Sequence, residues 1–306
     1  MILDCSTLLP GPFVGKLLAK QGAKVIKVEN PDQPDGAREM GTYYQDLNEE
    51  KELVWLNLKK SEDRKKFHEL LLKAHGLIEG FRPEAKKNLG LDAETLHAIN
   101  PKLCILSMVG YPETGPLRDR AAHDLNFQAV TGALSLNNEM PGLPLADFFT
   151  AFQGAISLIA SLHVTHRAPQ GEANGNRIVV SMSETMREVQ SLYIREFLAT
   201  GKKPSYGETL VSGNFPCYRI YRSADGRRIA VGAIEKKFWK NLCEILNLKQ
   251  YIEDGYTTGV RGKEVILALQ DRFHSEPWSY WAPLFKKADC CVEPILDYEE
   301  VYKTGL

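Results

Sequence analysis

The order of apolar runs in the first thirty residues constrains the fold more than any other feature. Ile2-Leu3-Asp4-Cys5 reads as a short strand and Pro10-Gly11-Pro12 as a turn. Phe13, Leu17, Leu18 and Gln21 then fall at helical spacing, with Gly22 placed to end the helix and residues 24–28 reading as a second strand. Strand, helix and strand in so short a span imply two parallel strands joined by a right-handed crossover.

The alternation continues. Residues 53–58 read as a strand, and 60–75 as a helix with Phe67, Leu70, Leu71 and Ala74 on one face. Leu77-Ile78-Glu79 and residues 103–107 read as further strands, which predicts a doubly wound α/β core. Residues 36–52 are polar and aperiodic and are expected to form a long loop. Residues 146–166 read as a long apolar helix. A Gly-, Pro- and Asn-rich loop at 167–176 precedes a strand from 177, which leads into a helix ending near Thr200. After Pro204 the texture changes. Residues 218–222 and 228–231 flank Ser223-Ala224-Asp225-Gly226, a hairpin around an Asp-Gly turn that opens a smaller α+β domain.

Bulk properties narrow the function class. The 38 basic and 39 acidic residues leave a net charge of -1, without the basic field that nucleic acid requires. The 14-residue apolar-rich stretch 151–164 is shorter than the roughly 18 residues of a membrane helix, and no leader pattern precedes the first strand. Six scattered cysteines form no CxxC pair and no zinc spacing, so a reducing, cytoplasmic setting without a structural metal is expected. Cys290-Cys291 reads as buried packing. The turn at 8–12 carries one glycine where a dinucleotide fold carries three, which argues against the usual NAD site.

Three titratable residues stand out. Asp147 opens an apolar helix, His123-Asp124 follows a Gly- and Pro-containing loop, and Glu235 ends an apolar run. On the residues alone the bland readings are commoner: a helix cap for Asp147, a loop or core histidine for His123, and a strand-end charge for Glu235.

Five ordered segments change that balance. They are Pro10-Gly11-Pro12-Phe13 with residues 18–29; residues 77–83 with Leu89-Gly90-Leu91; residues 99–103 continuing to Gly110-Tyr111 and Thr114-Gly115-Pro116; Leu145-Ala146-Asp147-Phe148; and residues 218–235. Together they resemble family III CoA-transferases over nearly the whole chain, and the His123-Asp124 pair with Gly232-Ala233-Ile234-Glu235 resembles the α-methylacyl-CoA racemase branch. No glycine-rich loop of the transferase kind is found in the second domain.

The resemblance implies an interlocked homodimer of a doubly wound parallel-sheet domain plus a smaller α+β domain. The large Rossmann-like CoA-binding domain would span 1–185, a linker helix region 186–210 and the small domain 211–300. Residues 301–306 would begin a return segment that reads as cut short. It implies an acyl-CoA substrate, with no cofactor beyond coenzyme A and no metal, nucleic acid or membrane. His123 and Asp147 become the acid–base pair of an acyl-CoA racemase in lipid metabolism, and Glu235 orients His123. Arg38, Lys59 and Arg82 become cations for the CoA phosphates, and Asp124 a neighbour of the pantetheine or of the active-site mouth. The enolate oxygen would meet backbone N–H groups at the start of the Asp147 helix. For Lys59 a solvated charge beside Lys60 is an equal alternative.

Bulky Phe149 and Phe152 stand where relatives carry glycines and are expected to narrow the substrate site. Asn88 and Phe127 replace a cation and a tyrosine. Two other functions remain open: a CoA transferase with Asp147 as nucleophile, and a non-catalytic CoA-binding homologue.

Overall fold

A computed structural model describes residues 1–137, 139–169, 174–209 and 211–305. The chain divides into two compact units. The first holds Met1–Leu134 and Glu139–Glu196, and the second holds the chain from Phe197 onward, with a short stretch beginning at Ser135.

The first unit carries six strands: β1 (Ile2–Asp4), β2 (Val25–Glu29), β3 (Glu52–Trp55), β4 (Gly76–Glu79), β5 (Cys104–Val109) and β6 (Arg177–Ser181). All pairings are parallel, in the order β3-β2-β1-β4-β5-β6. This is the doubly wound order, whose direction reverses between β1 and β4. Period-two alternation builds a core on each face. Leu3, Ile26, Leu77 and Ile105 pack with Phe67, Leu71, Leu91 and Leu96 on one side. Ile2, Val25, Ile78, Cys104 and Leu106 pack with Val14, Leu18, Ala151 and Leu158 on the other.

Several local expectations are corrected. Pro10-Gly11-Pro12 is no turn but the first turn of the Pro10–Lys20 helix, where a proline's missing N–H costs nothing. Gly22, at φ +90°, closes that helix in the left-handed region, as its position predicts. The long loop expected at 36–52 contains a 3-10 turn, Gly36–Met40, and a helix, Thr42–Asn48, too short to show periodicity. The long apolar helix runs over 23 residues, Leu145–Arg167, with mean hydropathy 1.5 in its most apolar window. It is therefore long and apolar enough to cross a membrane, contrary to the 14-residue estimate, although one face packs on the sheet through Ala151, Ala155 and Leu158. Part of the loop expected at 167–176, residues 170–173, lies outside the described residues, as do Leu210 of the expected linker and Leu306 of the expected return segment.

The second unit has an antiparallel sheet of β7 (Tyr218–Arg222), β8 (Arg228–Gly232) and β9 (Val292–Pro294), with β8 central. The expected hairpin forms, with Arg222 opposite Arg228 and Gly226 at φ +80° in the connection. Tyr221, Trp239, Phe273 and Trp281 fill its core. Cys290 joins that core, but Cys291 is exposed with φ +53°, so only half of the vicinal pair is packing.

Candidate active site

At the reversal between β1 and β4 the connections after these strands separate and leave a crevice. A cavity of about 570 Å³ occupies it. Its walls include Ser6–Gly11 after β1, Gly80–Pro83 after β4 and Met108–Tyr111 at the end of β5, together with Tyr43, Arg118, Arg120, His123, Phe127 and Asp147.

The connection after β1 is fixed by side chains where a dinucleotide fold uses glycines. Asp4 and Lys27 are neighbours across β1 and β2, and both are buried. Asp4 accepts from the Ser6 N–H at 3.0 Å and from the Ser6 hydroxyl. Lys27 donates to the Ser6 carbonyl and, at 3.2 Å, to Asp35, while Asp35 accepts from the Leu8 N–H at 3.0 Å. Lys51 closes the network with 2.8 Å bonds to Asp4, the Pro12 carbonyl and Asn48. Burial works to raise the Asp4 pKa, but Lys51 and Lys27 outweigh it and hold the carboxyl at about 2.

These bonds keep Leu8 in the left-handed region at φ +65°, where a side chain is disfavoured. Gly11 is required at the next step, because a Cβ there would stand 2.2 Å from the Ser6 side chain. On the other wall Glu79 plays the matching part, accepting from the Phe81 N–H at 2.9 Å and from Lys86 at 3.0 Å.

Asp147 sits in the first turn of the Leu145–Arg167 helix, half-buried on the cavity wall. Its carboxylate has no hydrogen-bond partner among the described residues. Burial, and then the negative charge of Asp124, push its pKa up to about 7. The cap expected of Asp147 is supplied by Asp124, whose Oδ1 accepts from the Ala146 N–H at 2.7 Å and the Asp147 N–H at 3.2 Å. Asp124 Oδ2 accepts from Gln128 at 2.6 Å.

Two expectations change as a result. Asp124, expected near the pantetheine or the active-site mouth, has both carboxylate oxygens engaged by protein donors, because a buried helix start must find an acceptor. The N–H groups at that helix start are also not open to an enolate. Leu145 and Phe148 donate to the carbonyls of Leu143 and Pro144, and Ala146 and Asp147 donate to Asp124.

His123 shares the cavity with Asp147; it is exposed and precedes the Asp124–Val130 helix, its N–H donating to Asn126 at 3.0 Å. Arg82 lines the same cavity and has no ion-pair partner among the described residues. Lys59 lines a neighbouring cavity of about 360 Å³, which shares Thr7 and Phe81 with the first. Arg38 lines neither cavity. Glu29 holds its guanidinium through bonds of 2.5 and 3.0 Å, and the Tyr44 and Trp55 rings lie 4.2 and 4.7 Å from it. Its charge is already compensated.

Glu235 belongs to the second unit, exposed at the N-cap of the Lys236–Ile245 helix. Phe149 and Phe152 do not narrow the cavity: both are exposed, and Phe152 packs on Phe13 at 5.6 Å between ring centroids. Phe127 does line it, buried against Tyr111 at 5.2 Å. Sequence reasoning missed Tyr43, Arg118 and Arg120. The two arginines lie within five residues of His123, which is a usable signal, whereas Tyr43 fell in the stretch read as loop.

Comparison with known proteins agrees with this architecture. The chain is 33% identical to a CaiB/BaiF CoA-transferase family protein of Caenorhabditis elegans, covering 99% of this chain and 87% of that one. It is 30% identical to human alpha-methylacyl-CoA racemase, covering 98% and 78%, and 28% identical to human succinyl-CoA:glutarate CoA-transferase, covering 98% and 72%. The crystal structure of a CaiB/BaiF family protein from Brucella suis superposes with a TM-score of 0.82 at 25% identity, over 99% of this chain and 84% of that one. The sequence pattern of CoA-transferase family III matches residues 1–305, and with the parallel sheet and its crevice in place, the chain belongs to that family.

Proposed function

We propose that the protein is an acyl-CoA racemase, moving the α-proton of a 2-methyl-branched acyl-CoA from one face of the α-carbon to the other through an enolate. The observation that carries this reading is the carboxyl of Asp147, without a hydrogen-bond partner among the described residues, on a cavity wall shared with His123 and half-ionised near neutral pH. A two-base racemase needs each group to serve as base in one direction and as acid in the other. A midpoint of about 7 keeps both forms of Asp147 available.

In this reading the CoA phosphates meet Arg82 and Lys59, whose cavities share a wall, while Arg38 is held by Glu29 and stacks on Tyr44. The task proposed for Glu235, orienting the His123 ring, is assigned within an interlocked homodimer whose two copies share the site. The test is incubation with a single enantiomer of a 2-methylacyl-CoA in heavy water. Racemisation with deuterium at the α-carbon is expected, and both are lost in Asp147→Asn. Exchange that persists when both His123 and Asp147 are replaced rules the mechanism out.

A second reading, CoA transfer between carboxylic acids, is favoured by the same carboxylate acting as a nucleophile. It predicts an acyl or CoA adduct on Asp147 detectable by mass spectrometry, and ping-pong kinetics with a free acid.

A further inference from the structure

The proposed reaction leaves one charge without a partner. When the α-proton leaves, the C–H electron pair forms the Cα=C bond and the carbonyl π pair moves onto the thioester oxygen. That oxygen needs a preorganised donor, and the four N–H groups at the start of the Leu145–Arg167 helix are committed elsewhere.

Tyr43 fits the vacant role. It lies on the Thr42–Asn48 helix, and its half-buried side chain lines the cavity that contains Asp147 and His123. Its hydroxyl has no hydrogen-bond partner among the described residues, whereas the adjacent Tyr44 hydroxyl bonds Glu29 at 2.7 Å and Arg38 at 2.6 Å.

The short helix carrying Tyr43 is anchored along its length. Arg38 stacks on Tyr44, Lys16 pairs with Asp46 at 2.5 Å, and Asn48 accepts from the buried Lys51. The donor is therefore held in place before substrate arrives, which gives a hydrogen bond its catalytic value. Burial and the nearby Asp147 charge push the phenol up to about 12, so the group keeps its proton throughout.

Resting on the CoA-thioester reading above, we propose that Tyr43 is a further catalytic residue, donating its hydroxyl hydrogen bond to the thioester oxygen as negative charge gathers there. The proton count closes without it. One of His123 and Asp147 takes the α-proton, the other returns a proton to the opposite face, and the electron pair on oxygen collapses back to the carbonyl. Tyr43 neither gains nor loses a proton.

The test uses acetoacetyl-CoA, whose enolate has its own near-ultraviolet absorbance, with the full-length protein and Tyr43→Phe. Wild type is expected to bind the probe and show the enolate band at neutral pH. Tyr43→Phe is expected to bind with similar affinity, keep its melting temperature and lose most of the band. With a racemisable substrate, kcat should fall by about 10²–10³-fold with KM little changed. Equal bands and equal kcat in the two proteins, or binding by wild type without any enolate band, overturn the assignment of Tyr43 alone. Failure of wild type to bind acetoacetyl-CoA overturns the CoA-thioester reading and this inference with it.

Discussion

Asp147 combines a cost to folding with a use in chemistry. Its carboxyl is drawn from water without gaining a hydrogen-bond partner among the described residues, and its pKa rises from the ordinary 3.8 to about 7. The folded state therefore binds the proton more tightly than the unfolded chain. This contribution to stability is complete below the unfolded value and is lost as pH rises through 7. Asp147→Asn should thus melt above wild type at pH 8, with the gap narrowing as pH falls below 7 and closing only near pH 4, while activity falls by about 10²–10⁴-fold. Thermal melts across that range check the sign, and a gap independent of pH would contradict an elevated pKa. Asp124 acts on the same carboxyl through its charge and on the helix through its cap. Asp124→Ala should cost about 1 kcal/mol in urea unfolding and move the kinetic midpoint of Asp147 toward acid. Asp124→Asn should recover part of the stability, because an amide oxygen still accepts, without restoring the midpoint.

The element that shapes the cavity is the connection between β1 and the first helix. Lys27, at the centre of its support, is buried with Asp35 and donates to the carbonyl of Ser6. Removing one partner of a buried pair strands the other, so Lys27→Met should cost about 3–5 kcal/mol, read from the urea midpoint. Much at this scale was legible in the sequence. The alternation in β1, β2, β4 and β5 states which residues face which core, and the apolar run after Asp147 announces a long helix. Other features were hidden for physical reasons. The Thr42–Asn48 helix has two turns and few apolar positions, so periodicity cannot reveal it. The cap of the Asp147 helix comes from Asp124, 22 residues before the first N–H it accepts from, and only the folded chain brings them together. Two aspartates in suggestive sequence settings read as two site residues; the geometry engages Asp124 as the helix cap and leaves the Asp147 carboxylate without a hydrogen-bond partner among the described residues.

At the scale of the whole molecule, the Leu145–Arg167 helix turns Phe149, Phe152, Ile156, Ile159 and Val164 outward, and Leu192 and Leu198 on a following helix are likewise exposed. The homodimer proposed above would place its second copy over the outward face of the Leu145–Arg167 helix. Ile156→Glu should then shift the protein toward monomer in analytical ultracentrifugation, and an unchanged dimer would remove this face from the contact. Family membership was legible from five ordered segments because their order along the chain is specific even where each segment is not. The tie on the first connection also has a temporal consequence. Its bonds join residues 21, 27 and 47 positions apart, the longest running from Lys51 back to Asp4. A nascent chain ending at β2 would possess the first helix and both strands, yet its cavity wall would be unformed until residue 51 had emerged and docked. During refolding, helical signal should return before the ability to bind CoA thioesters, because closing that loop must precede the site.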